Sequence, residues 1–220
     1  MSRSIVKSAS FVVTGPRGVL EAQVDSVSST IRGVAVLCHP DPEQQGSMQN
    51  KVVTTLARAF AHLGAAAVRF NFRGVGHSAG SHTGGDGERE DARAVVAHCR
   101  QRWPTMPLYL GGFSFGGAIA IAISGDIAPK GLVTVAPAIR RLHDGWTAPL
   151  CPWLLVHGEA DDIVPLGPVE QWAAALSAPP QILVMPEVGH FFHGALTALG
   201  HAVTEFFRAD FEAAPLHASV

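Results

Sequence analysis

No stretch of this sequence approaches the ~20 consecutive apolar residues that a helical membrane span requires. The first ten residues, Met1 to Ser10, carry two basic side chains but no apolar core of signal-peptide length. Charge is sparse as well. Only 15% of the residues are charged, the net charge is −2, and Lys and Arg form no cluster, which argues against a nucleic-acid partner. Cysteine is rarer still. Cys38, Cys99 and Cys151 are odd in number and lack metal-ligand spacing, so they are expected to be reduced core residues of a cytoplasmic protein. Gly74-x-Gly76 is too short a glycine pattern to argue for a nucleotide. No cofactor and no metal are expected. Repeats, linkers and low-complexity tracts are missing too, which leaves one domain over residues 1–220.

What is there is apolar. Hydrophobic residues make up 47% of the chain, as a buried parallel sheet demands. Phe11 to Val13, a turn Gly15-Pro16-Arg17-Gly18, and Val19 to Val24 predict a β-hairpin. Strand-like runs then recur at 34–38, 68–72, 108–112, 131–135, 153–157 and 181–185. Helical patterns separate most of them. One is capped by Ser47 and runs to Leu63, and one is capped by Asp86 and reaches Trp103. Others lie between Pro168 and Leu176 and from Gly194 to Phe211, and residues 213–220 are expected to fray. Alternation of this kind predicts right-handed crossovers and a mostly parallel sheet with helices on both faces. Chemistry then gathers at the carboxyl ends of the strands.

The stretch Leu108 to Ala120 stands out. It reads as a buried strand, a tight turn and a helix of small and apolar residues, with G-x-S-x-G at Gly112 to Gly116. With 14 serines and 23 glycines in the chain, chance supplies ~0.15 such matches, so the pattern alone is weak. Gly76-His77-Ser78-Ala79-Gly80 also fits it, but a loop follows rather than a helix, so Ser78 is read as a loop serine. Ser114 has a strand before it and a helix after it, the context of an exposed nucleophile.

A serine hydroxyl is a poor nucleophile at neutral pH and needs a base held in place by an acid. On this architecture the order along the chain is Ser, acid, His. Two strand-end loops after Ser114 supply them: His157 to Pro165 and Met185 to Phe192. His190 is the expected base, and His193 lies toward the following helix. Asp161 is the expected acid, although spacing alone leaves Asp162 open and Glu159 is a weaker rival. Gly189 is read as the residue that lets His190 turn inward. Two backbone N–H groups are needed to bind an oxyanion. Phe115 supplies one. The other is expected from the loop after the first buried strand, His39-Pro40-Asp41-Pro42, where Asp41 is the non-proline donor and its carboxylate has to point away. Arg73, at a glycine-rich loop, is read as bracing the fold through a buried ion pair or carbonyl contacts rather than as an anion receptor.

With these residues in view, the chain resembles the small bacterial α/β-hydrolases of the serine carboxylesterase type, and more distantly the dienelactone hydrolases. The resemblance is carried by His39-Pro40, Asn50 to Val53, Arg69 to Gly76, Gly112 to Gly116, His157-Gly158 with Asp161 and Val164-Pro165, and Gly189-His190, over about residues 33 to 207. The family pattern H-G-x-x-D-x-x-V-P selects Asp161. The resemblance departs at Asp41, where the family often has a second His, and at Ser114, where dienelactone hydrolases carry Cys. It implies an α/β-hydrolase fold: an eight-stranded, mostly parallel sheet with an N-terminal antiparallel hairpin. It also implies no cap domain, because only Pro137 to Pro149 occupies the place where relatives insert one. An open site for small or short-acyl carboxylic esters follows, with His39, Phe113, Phe115, Trp146, Phe191 and Phe192 as candidate lining. The same machinery also suits a thioesterase, a peptidase or cofactor-free perhydrolysis. The reading from a different class is a non-catalytic ligand-binding protein on the same fold.

Overall fold

The computed structural model describes residues 5–142, 145–214 and 217–218. The chain opens with β1 (Lys7–Gly15) and β2 (Gly18–Ser26), the predicted hairpin, then β3 (Thr30–Ile31) and β4 (Gly33–Cys38). After α1 (Lys51–Leu63) come β5 (Ala65–Phe70), α2 (Asp86–Arg102), β6 (Leu108–Phe113), α3 (Phe115–Ile127) and β7 (Gly131–Val135). The chain closes with β8 (Trp153–Gly158), α4 (Leu166–Ala174), β9 (Gln181–Met185), α5 (Leu196–Ala213) and β10 (His217–Ala218). Eight strands form one sheet in the order β1-β2-β5-β4-β6-β7-β8-β9. β2 runs antiparallel to both neighbours, and β5 through β9 are parallel. This is the α/β-hydrolase fold.

The uniformly apolar strand runs have a simple cause. Side chains alternate between two faces, and both faces are covered. In β4, Val34, Val36 and Cys38 join one core with α2, α3 and α4, while Ala35 and Leu37 join a second core with α1 and α5. β6 divides the same way, with Leu108 and Leu110 on one side and Tyr109 and Phe113 on the other.

Three local expectations are corrected. α1 is capped by Asn50, whose Oδ1 accepts from Val52 N at 2.9 Å, and not by Ser47. α2 is capped at Gly85, whose N–H donates to Glu88 Oε2 at 2.8 Å, and Asp86 is its first helical residue. The last helix passes its expected end at Phe211: α5 reaches Ala213, and β10 pairs antiparallel with β3. Parts of the expectations for the N-terminus, the 137–149 segment and the C-terminal tail lie outside the described residues. Among the described residues, β7 and β8 are joined with only a 3-10 turn, Ile139–Arg141, between them, and no cap is inserted there.

Candidate active site

β6 ends in the tight turn, and its backbone shows why only this sequence suits it. Ser114 has φ 52° and ψ −116°, a sparsely populated conformation costing on the order of 1–3 kcal/mol. Such strain persists only where the surroundings fix it. Here Ser114 N donates to Val135 O at 2.9 Å, and Ser114 O accepts from Ala118 N at 3.1 Å and Ala138 N at 3.0 Å. The turn is therefore pinned to β7 and its following loop. A Cβ at Gly112 would overlap the Gly116 carbonyl, and one at Gly116 would overlap the carbonyls of Cys38 and His39. The second glycine thus clears the end of the neighbouring strand β4.

The loops after β8 and β9 converge on Ser114. His190 Nε2 lies 3.1 Å from Ser114 Oγ, and His190 Nδ1 lies 2.7 Å from Asp161 Oδ2. Asp161 and His190 are both buried. The second oxygen of Asp161 accepts from the N–H groups of Ile163 at 3.0 Å and Val164 at 2.8 Å. Burial alone would raise the Asp161 carboxyl. The bonds from His190, Val164 and Ile163 outweigh it and hold the group below the usual carboxylate range. A carboxylate anchored in this way fixes which His190 nitrogen carries the proton, leaving Nε2 to face the hydroxyl. The rivals lie elsewhere. Asp162 and His193 are exposed, and Glu159 accepts from Glu187 N at 3.3 Å. Gly189 is not what turns the loop: a Cβ there would meet nothing closer than 3.7 Å, and the left-handed residues are Glu187 and Phe192.

A second histidine touches the same acid. His157 is buried with Nε2 2.8 Å from Val164 O and 3.5 Å from Asp161 Oδ2. Burial lowers its pKa, against the opposing pull of Val164 and Asp161, so the ring is neutral and donates to the Val164 carbonyl.

A cavity of about 380 Å³ opens beside Ser114, and Asp41, Phe113, Phe115, His190 and Phe191 line it. Phe113 leans on the His190 ring with centroids 5.0 Å apart. The carboxylate of Asp41 accepts from Glu43 N at 2.9 Å and from Arg141 Nη2 at 3.2 Å.

Three expected lining residues are not there. His39 is fully buried: its Nε2 accepts from Phe72 N at 3.0 Å, and its Nδ1 lies 2.6 Å from Pro40 O. Phe192 turns into the core, where its left-handed φ of 55° sends it away from the exposed Phe191. Trp146 packs against Trp172, with centroids 5.7 Å apart, beside the core shared with α2, α3 and α4. In their place the lining includes Gln44, Ile139, Arg140, Arg141, Ile163 and Val169. The available signal for Ile139 to Arg141 was position, because they follow β7 at the carboxyl edge of the sheet.

Ser78 is a loop serine, donating to Asn71 O at 2.7 Å and accepting from Glu21 N at 2.9 Å. Arg73 braces its loop through Asp91, at 2.7 Å, and Glu90, at 3.3 Å. Asp41, Glu43 and His82 offer ligand atoms within 4.8 Å of one another. Asp41 is already engaged by Arg141, however, and His82 Nδ1 lies 3.0 Å from Glu88 Oε1.

Comparison with known proteins agrees with this fold. Residues 31–151 match the family described as serine aminopeptidase, S33. The chain belongs to this family of α/β-hydrolases. As such a hydrolase it is similar to a Xanthomonas campestris protein described as an α/β serine hydrolase without a lid. The two are 39% identical, with a TM-score of 0.88 over 95% of this chain and 97% of the other. It is also similar to a serine hydrolase homologue from Coxiella burnetii, at 38% identity and a TM-score of 0.85, covering 90% of this chain and 96% of that one. An uncharacterised protein of Rickettsia prowazekii is 31% identical over 74% of this chain and 71% of its own length. The chain is thus a lidless α/β serine hydrolase. No helix among its described residues is long and apolar enough to cross a membrane.

Proposed function

We propose that this hydrolase cleaves small or short-acyl carboxylic esters through an acyl-enzyme, with Ser114 as nucleophile, His190 as general base and acid, and Asp161 as the orienting carboxylate. The observation that carries the reading is the continuous path from Ser114 Oγ through His190 to Asp161, at 3.1 Å and 2.7 Å, with Ser114 held in a strained turn. His190 Nε2 takes the Ser114 proton as Oγ attacks the ester carbonyl. The oxyanion forms against the backbone N–H groups of Phe115 and Asp41. Collapse expels the alcohol, which leaves with the proton from His190. Water then repeats the sequence on the acyl-enzyme and releases the acid. The Asp41 carboxylate turns to Arg141 and Glu43 N, which keeps its charge from opposing the oxyanion. The reading takes residues 1–220 as one catalytic domain. The unpaired Cys38, Cys99 and Cys151 fit a cytoplasmic location.

A peptidase reading draws on the family's description, and the cavity speaks against its aminopeptidase form. An aminopeptidase needs an acidic group for the substrate's α-ammonium. Among the described residues, the one carboxylate lining this cavity, Asp41, is paired with Arg141.

Hydrolysis of 4-nitrophenyl esters from acetate to dodecanoate, by the wild type and Ser114→Ala, tests the proposal. Preference for the short esters, lost on substitution, is expected. Turnover that survives in Ser114→Ala contradicts the triad, and a preference for dodecanoate contradicts the short-acyl assignment.

A further inference from the structure

Among the described residues, the ionisable side chains lining the cavity beside Ser114 are Asp41, Arg140, Arg141 and His190. Three of these four are already engaged. Arg141 Nη2 is 3.2 Å from Asp41 Oδ2, and His190 is bound to Asp161. Arg140 differs: among the described residues its side chain takes part in no ion pair or hydrogen bond, and it is exposed at the cavity. Among the described residues, the cavity therefore presents one uncompensated guanidinium.

Arg140 is also held at a fixed place relative to the nucleophile. It lies in the 3-10 turn Ile139–Arg141 directly after β7. The residue before that turn, Ala138, donates its N–H to Ser114 O at 3.0 Å. Arg141 ties the far end of the turn to Asp41, across from it in the oxyanion loop. The backbone that carries Arg140 is thus clamped both to the reacting residue and to the loop that faces it. Much of the remaining lining is apolar, including Ile139, Ile163, Val169 and Phe191. Ile163 and Phe191 are 55% and 51% exposed, unusual for side chains of their size. They offer a wall for the apolar body of a substrate whose charged end meets Arg140.

We propose that this site selects esters bearing a second, anionic group, a carboxylate, which seats on the Arg140 guanidinium. This rests on the esterase reading of the same site and names its substrate class. A guanidinium presents a planar fork of donors that matches a carboxylate. The pair forms at an exposed guanidinium, so its strength comes from the planar match of donors and acceptors rather than from loss of water. A hydrogen bond to a charged group corresponds to about tenfold in affinity.

The test separates binding from turnover. Monomethyl adipate and its neutral analogue methyl adipamate are titrated calorimetrically into the full-length Ser114→Ala protein, which is not required to turn over. The acid is expected to bind about tenfold more tightly than the amide. That ratio should fall toward one in Arg140→Gln, recover in part in Arg140→Lys, and shrink in high salt. Equal affinities for acid and amide overturn the proposal, and so does a ratio that Arg140→Gln leaves intact. In parallel, the wild type is assayed with 4-nitrophenyl hydrogen adipate and 4-nitrophenyl adipamate. Preferred hydrolysis of the anionic ester supports the proposal. Absence of turnover for both contradicts the esterase reading, while the binding ratio still decides the anion site.

Discussion

Replacing His39 with leucine removes a polar strut under the oxyanion loop, and the size of the effect follows from two bonds. The ring is fully buried, accepting from Phe72 N through Nε2 and lying 2.6 Å from Pro40 O through Nδ1. This requires the neutral ring, protonated at Nδ1. Leucine fills a similar volume but leaves the buried Phe72 N–H without a partner, at a cost of about 1–3 kcal/mol. Burial also pulls the His39 pKa down from 6.5 to about 4. As pH falls below 6.5 the unfolded chain takes up the proton first, while the folded protein resists until about pH 4. The stability due to His39 is therefore complete above pH 6.5 and declines as pH falls through that window. At pH 5 the loss is about 2 kcal/mol, at about 1.4 kcal/mol per pH unit. The leucine variant lacks this component. Denaturant unfolding followed by tryptophan fluorescence should show it to be less stable than wild type at pH 7.5, with the gap narrowing by about 2 kcal/mol at pH 5. A variant within about 0.5 kcal/mol of wild type at pH 7.5, or a gap that does not change with pH, refutes the reasoning.

Other expectations follow from the same structure. Ser114→Gly should stabilise the fold by about 1 kcal/mol while abolishing hydrolysis, because glycine tolerates the left-handed turn that serine endures; unchanged or lower stability by denaturant unfolding counts against strain at the elbow. Gly116→Ala should cost several kcal/mol or prevent folding, since its Cβ meets the carbonyl oxygens of Cys38 and His39; a Tm equal to wild type contradicts that packing. Arg73→Met should cost about 3–5 kcal/mol by leaving the buried Asp91 carboxylate unpaired; a loss of substrate affinity with no change in stability would instead make Arg73 part of the binding site.

The elbow was legible because two independent patterns coincide at Ser114. The spacing of Gly112 and Gly116 meets a switch from strand to helix, whereas Ser78 has the glycines without the helix. The alternation of core residues was legible only as uniform apolarity, since a strand covered on both faces shows no period in its polarity. What escaped were choices between neighbouring residues decided by the local backbone, and features set by a partner distant in sequence. Asn50 wins the cap of α1 over Ser47 because it sits next to the first turn. Phe191 and Phe192 are adjacent and alike in sequence, yet one lines the cavity and the other fills the core, because the backbone at Phe192 turns left-handed. His39 looks like a pocket residue in a strand-end loop, but the backbone of Phe72, 33 positions on, claims its ring. Arg140 and Arg141 carry no motif, and only the place of their turn after β7 brings them to the cavity.

The central claim is that Ser114 is the hydroxyl activated by His190. Its most direct test is covalent labelling of the intact protein with a fluorophosphonate, followed by peptide mass mapping. The account predicts a single adduct on Ser114, formed rapidly in wild type and slowed by orders of magnitude in His190→Ala. An adduct on another residue, or labelling of Ser114 at the same rate without His190, would contradict it.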